Sequence, residues 1–160
     1  MTSPTPLWKP LTVALAAAAL VAWLGASLTD LGPWYEELRK PAWKPPDWLF
    51  GPAWTLIFTL TAVAGAQAWR LVPDRAGRTR IVVLFAANGV LNVLWSVLFF
   101  RLQRPDWALL EVPLLWLSVL ALMITLGAHS RALAWMLLPY LVWVSFAAAV
   151  NAAVVQMNGA

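Results

Sequence analysis

The side chains able to do chemistry in this chain of 160 residues are mostly indoles and amides. There are twelve tryptophans, no cysteine and a single histidine, His129. Lack of cysteine excludes disulfides, thiolate catalysis, iron–sulfur clusters and cysteine-built zinc sites, and one histidine argues against a histidine-built metal site. What remains is spaced like helix faces. Trp54 and Phe58 lie one turn apart, and Asn88, Asn92 and Trp95 follow i, i+4, i+7 spacing. Pro139, Trp143, Ala147 and Asn151 form another such stripe, with the small Ala147 leaving room beside the indole. Faces of this kind offer aromatic stacking and amide hydrogen bonds, the means of holding a ligand without covalent chemistry. They suit purely structural roles equally well: the asparagines as hydrogen-bond links between helices, and Trp54, Trp95 and Trp143 as bundle core. Pro139 removes a backbone hydrogen bond and so either kinks its helix to open space near Trp143 or is a mere helix irregularity.

The elements that must carry these faces are membrane spans. The chain is 62% hydrophobic and 11% charged, with a mean hydropathy of +0.73. A water-soluble domain carries about 25% charged residues, so a soluble globule is excluded. Five stretches lack Asp, Glu, Lys and Arg: Pro10–Thr29, Trp48–Trp69, Ile81–Phe100, Val112–Ser130 and Ala132–Ala160. Roughly 20 apolar residues cross the hydrocarbon as a helix, and backbone polar groups without water partners demand helices there. The pattern predicts an all-α membrane protein, a five-helix transmembrane bundle forming one domain over 1–160. Helices are expected at about 10–29, 48–70, 81–101, 107–128 and 134–156. Trp8, Trp48, Trp69, Trp107 and Trp135 fall near the span ends, where amphipathic rings settle at the lipid interface. Ala14, Ala18, Ala22 and Ala26 form a small-residue ridge suited to close helix packing, which favours an uncleaved first helix over a signal peptide.

The formal charge of +4 comes from basic residues in the loops between apolar runs, which points to a membrane surface and not to nucleic acid. Six Lys/Arg on one side against five on the other leave the orientation open. Glu111 is the one carboxylate inside a proposed span, and its nearness to the interface predicts pairing with Arg101 or Arg104. His129 is expected at the interface.

The first loop stands apart. It covers residues 30–47 and carries Pro33, Pro41, Pro45 and Pro46 with Trp34, Tyr35 and Trp43. Prolines lower the entropy of ordering a loop and large aromatics give it something to pack with, so a folded lid is expected.

Within that loop the run Trp34-Tyr-Glu-Glu-Leu-Arg-Lys-Pro-Ala-Trp-Lys-Pro-Pro-Asp-Trp48, followed by Gly51-Pro-Ala-Trp54, resembles the translocator protein family, also called tryptophan-rich sensory proteins. Leu91-Asn-Val-Leu-Trp95 with Phe99-Phe100, and Pro139-Tyr-Leu-Val-Trp143 with Ala147 and Asn151, are similar to the third and fifth helices of that family. The resemblance implies a five-helix bundle, usually a homodimer, that binds tetrapyrroles such as protoporphyrin IX. Some members bind sterols, and some bacterial ones are reported to degrade porphyrins in light.

A planar dicarboxylate macrocycle needs an apolar slot, aromatic faces, and cations or donors for its propionates. On that basis the ligand-binding residues expected are Tyr35, Trp34, Trp43, Arg39, Lys40, Lys44, Phe58, Asn88, Asn92, Trp95, Pro139, Ala147 and Asn151, with Trp54 and Trp143 as the residues able to take part in redox chemistry. The functions carried forward are a tetrapyrrole sensor, scavenger or regulator, a light- and oxygen-dependent porphyrin-degrading enzyme, and a porphyrin or sterol transporter. Paired intramembrane charges and an inverted repeat, which would favour transport, are lacking. No cofactor is expected beyond porphyrin as ligand or substrate, and no metal. The tail after Asn151 has no Tyr, Lys or Arg, so the sterol motif of animal members is missing. That favours a bacterial origin, and so a bacterial membrane, for the multi-pass protein that the five spans predict.

Overall fold

The computed structural model describes residues 6–159. Five membrane-length helical segments run through it. Helix α1 is Trp8–Leu28, the short α2 is Pro33–Glu37, α3 is Phe50–Leu71, α4 is Arg75–Ser96 and α5 is Pro105–Gly127. The fifth span is split into α6, Arg131–Met136, and α7, Leu138–Asn158. No strand occurs among the described residues. The protein is a multi-pass, all-α integral membrane protein.

Helix α1 packs on α3 and α4, and α5 lies between α4 and α7. Helix α5 is the spine, because Ala108, Val112, Leu115, Val119, Leu122 and Leu126 recur at helical spacing and are all buried. The opposite faces stay apolar, with Leu56, Val83, Leu114 and Ile124 exposed. Helices apolar all round are what a hydrocarbon solvent selects. Helix α1 buries no residue fully, yet its small-residue ridge brings it close to α3.

Several boundaries differ from the apolar runs, each for a physical reason. Helix α4 begins at Arg75, not near 81, since Asp74 caps it by accepting from the Gly77 N–H at 2.7 Å. Arginines are good helix formers whose stems can reach back to water. Helix α5 starts at Pro105, two residues before the expected 107, because proline fits the first turn. The expected continuous helix 134–156 is interrupted at Leu137, where Pro139 cannot supply the N–H of an unbroken turn, and α7 restarts with that proline in its first turn. Helix α4 ends in a π-helical turn, Val97–Arg101, in which the Leu102 N–H reaches the Val97 carbonyl at 2.9 Å. That wider turn carries Phe99 and Phe100. Residues 30–47 are folded around α2, and a 3₁₀ turn at Asp47–Leu49 leads into α3.

Candidate functional site

Beneath the lid lies a cavity of about 400 Å³, bounded by α1, α3, α4, α5 and α7. This lies within the range of about 300–1,000 Å³ usual for small-molecule sites. Trp54, Trp95 and Trp143 supply its aromatic walls, and Tyr35 closes the lid side. Phe58 stacks behind Trp54 with centroids 5.1 Å apart, and Phe99 stacks behind Trp95 at 5.0 Å. Trp143 meets Trp54 edge-on at 6.4 Å and Phe50 at 5.5 Å. The indoles are therefore held by other rings and do not swing freely. Ala147 leaves the space beside Trp143 empty, and Asn92 and Ser96 give the apolar wall a polar stripe. A smaller recess of about 60 Å³ lies on the lid side of the same aromatic partition, bordered by Lys40, Lys44, Ala147 and Asn151.

Of the residues anticipated from sequence, Tyr35, Trp54, Asn92, Trp95, Trp143 and Ala147 line the cavity, and Lys40, Lys44 and Asn151 border the recess. The others lie elsewhere. Trp34 packs edge-on to Phe99 at 6.0 Å and Trp43 edge-on to Phe146 at 5.8 Å, so these indoles pin the lid to α4 and α7. Phe58 stands behind Trp54. Asn88 is turned away from the cavity, accepting from the Tyr140 hydroxyl at 3.1 Å and donating to the Ser118 hydroxyl at 2.8 Å. Asn92 in turn donates to the Tyr140 oxygen at 3.1 Å, so it both lines the cavity and links helices. Asn151 is buried and straddles the first turn of α5, donating to the Pro105 carbonyl at 3.1 Å and accepting from the Leu109 N–H at 3.0 Å. Pro139 is exposed on the outer face and borders neither space. A proline needs no hydrogen-bonded position in a first turn, so it can face lipid.

Glu111 also departs from expectation. It is buried, and neither carboxyl oxygen has a hydrogen-bond partner among the described residues. Arg104 pairs instead with Asp106, two residues away, and Arg101 reaches the Ser27 carbonyl at 3.4 Å. Cavity residues that the sequence did not assign to a site include Gly25 and Ala26 of α1 and Thr29 just beyond its end, together with Phe50, Gly51 and Phe100. The alanine ridge of α1 had signalled close packing; its C-terminal part instead faces a void.

The lid is latched by its own polar groups. The Tyr35 hydroxyl donates to Asp47 at 3.1 Å, Lys44 pairs with the same carboxylate, and the Lys40 ammonium lies 4.2 Å from the centre of the Tyr35 ring. Asn158, at the end of α7, grips the lid backbone, accepting from the Arg39 N–H at 3.0 Å and donating to the Arg39 carbonyl at 2.9 Å. The Arg39 side chain itself is exposed. Burial pushes the Tyr35 phenol up, with Lys44 opposing. Burial disfavours the Lys44 charge, but hydrogen bonds to Asp47 and Tyr35 prevail and hold its ammonium above the usual range. Lys44 thus contributes stability below its unfolded value, lost as pH rises through the raised one. Tyr35 acts in the same direction, because above about pH 10 the unfolded phenol ionises first. The lid is expected to stay latched from neutral to mildly alkaline pH and to loosen above that window.

Trypsin reads this latch directly, since Lys40 and Lys44 both precede proline and leave Arg39–Lys40 as the lid's one cleavable bond. Asn158→Ala removes two hydrogen bonds of about 1 kcal/mol each. It is expected to speed nicking at that bond by up to about thirtyfold at pH 8. Unchanged nicking would show that Asn158 does not hold the lid.

The profile of the TspO/MBR family matches residues 12–157. The chain belongs to the TspO/MBR family. It is 36% identical to the tryptophan-rich protein TspO of Chlorobaculum tepidum, an alignment covering 92% of this chain and 95% of that one. It is 35% identical to the tryptophan-rich protein TspO of Archaeoglobus fulgidus, over 92% and 96% of the two chains. The translocator protein of Homo sapiens is 28% identical, over 96% and 92%. The TspO/MBR match thus spans all five helices, and the lid and the cavity walls lie within it.

Proposed function

We propose that this protein binds a planar tetrapyrrole of the protoporphyrin IX type in the cavity beneath the lid, as a membrane sensor, scavenger or regulator. The observation that carries this reading is the convergence of Trp54, Trp95 and Trp143, from three different helices, on one cavity left open by Ala147. Offset and edge-on aromatic contacts suit a flat conjugated ring. The lid brings Lys40 and Lys44, the only cations among the described residues that border these spaces, to the side where propionates would project. Lys44 would then exchange its bond to Asp47 for one to the ligand. The homodimer implied by the family resemblance belongs to the same reading, and light scattering of the detergent-solubilised protein tests it.

A second reading, photo-oxidative breakdown of the bound porphyrin, is favoured by the edge contact of Trp54 and Trp143 inside the cavity. There the macrocycle supplies the photochemistry with dioxygen as oxidant, and an indole donates an electron or hydrogen.

Propionate recognition is tested by replacing Lys40 and Lys44 with Gln and measuring affinity for protoporphyrin IX and for a neutral aromatic ligand of similar breadth. Charge-assisted bonds of about 1.5–3 kcal/mol predict a loss of about tenfold or more for the dicarboxylate, and a smaller loss for the neutral ligand. Equal losses would mean that the lysines serve the lid alone.

A further inference from the structure

The two ends of the bundle are charged very differently. The end opposite the lid carries Lys9, Arg70, Arg75, Arg78, Arg80 and Arg131, with Asp74 as its one carboxylate. The lid end carries five cations, Arg39, Lys40, Lys44, Arg101 and Arg104, and five carboxylates, Asp30, Glu36, Glu37, Asp47 and Asp106. With His129 neutral, the formal balance is +5 against zero, and Glu111, buried within α5 and counted with neither end, brings the chain to +4. The ion pairing follows the same division. Both salt bridges among the described residues, Lys44–Asp47 and Arg104–Asp106, are at the lid end.

Opposite the lid, Asp74 is committed to its own helix cap at Gly77, and α3 packs against α6, so the α3–α4 and α5–α6 connections lie at the same end of the bundle. Arg78 turns inward, its Nε donating to the Val72 carbonyl at 2.9 Å and its guanidinium lying 5.2 Å from the centre of the Trp69 ring. Arg70, Arg75, Arg80 and Arg131 remain exposed and form no ion pair among the described residues. Trp8 and Trp135, both about two-thirds exposed at the same end, mark the level of the lipid interface.

We propose that this end is a docking surface for anionic lipid headgroups, held by Arg70, Arg75, Arg80 and Arg131. A guanidinium presents a planar fork of donors that matches a phosphate diester. At the depth of an indole belt, the phosphates it meets belong to lipid. A zwitterionic headgroup cancels its own phosphate charge with its ammonium, whereas phosphatidylglycerol does not, so a surface of +5 selects the latter. The proposal is independent of what fills the cavity.

Native mass spectrometry of the detergent-solubilised full chain, given equal amounts of phosphatidylglycerol and phosphatidylcholine, tests it. The wild type is expected to retain phosphatidylglycerol severalfold over phosphatidylcholine. Replacing the four arginines with Gln should bring the ratio near one. Replacing them with Lys should keep most of the preference, and Arg39→Gln with Arg101→Gln at the lid end should leave it unchanged. Excess inorganic phosphate should not displace the lipid. Melting curves in the same detergent identify any variant that fails to fold, and the four single Arg→Gln variants then carry the test, each lowering the ratio in part. A preference untouched by these substitutions, lost equally with the lid-end pair, or removed by inorganic phosphate would overturn the proposal.

Discussion

Ala147→Phe is expected to lower the affinity for protoporphyrin IX by well over tenfold, more than about 1.4 kcal/mol, while leaving the fold intact. Ala147 borders both the main cavity and the recess, one turn from Trp143. A phenyl ring there would occupy the space that a flat ligand needs. It would also gain contacts with Trp143, so thermal stability should change little or rise. The contrasting control is Pro139→Ala, one turn before Trp143 on the same stripe but exposed to the outside. It should leave affinity within about twofold, since the rings that line the cavity are untouched. The measurement is equilibrium titration of the porphyrin absorbance band for each variant in one detergent, with melting curves alongside. Equal affinity of wild type and Ala147→Phe would place the ligand elsewhere.

The second large effect concerns whether the indoles are walls or reagents. Trp54→Phe and Trp143→Phe keep an aromatic face in the cavity and remove the easily oxidised ring. Affinity should fall by no more than a few-fold, because much of the stacking area survives. Illuminated conversion of bound porphyrin to a defined product should fall by at least tenfold if an indole is the electron donor. The comparison is made at matched porphyrin occupancy with a dark control, following the product spectrum and not colour loss, because free porphyrin bleaches unaided. Identical product formation in all three proteins would make the tryptophans walls. Failure of any defined product to form in the wild type would remove the enzymatic reading and leave binding standing.

The five spans were legible because runs lacking charge, bounded by Trp and Pro, admit little but helices in lipid. Helical spacing put Asn92 with Trp95, and Trp143 with Ala147, on single helix faces, and the family resemblance directed attention to them and to Trp54, but spacing within each helix does not show that the faces converge. Spacing alone did not separate Asn92 from Asn88, one turn apart on the same face. The difference lies in Tyr140, whose hydroxyl sits between the two amides and turns Asn88 toward Ser118. Nor does spacing show a void. A Cβ added at Gly51 would meet nothing within 4 Å, and one at Gly25 would meet only the Ser96 hydroxyl, 4.0 Å away, yet neither glycine carries a mark of open space in the sequence. The π turn that brings Phe100 to the cavity is a hydrogen-bond register change without a compositional mark. Trp34, Trp43 and Arg39 carried the right chemistry for a ligand, but two of them are spent on fixing the lid, and the third offers its backbone to Asn158. Glu111 was misread because sequence distance to Arg101 and Arg104 says nothing about a better partner, and Asp106 is that partner for Arg104.

The central claim is that the cavity holds one tetrapyrrole against the clustered indoles. Titrating protoporphyrin IX into the detergent-solubilised protein while following tryptophan fluorescence tests this most directly, because Trp54, Trp95 and Trp143 all border the site. Saturable quenching that ends at one porphyrin per chain and is lost in Ala147→Phe is the expected result. Linear quenching without saturation, equal to that of an unrelated tryptophan-rich membrane protein, would contradict it.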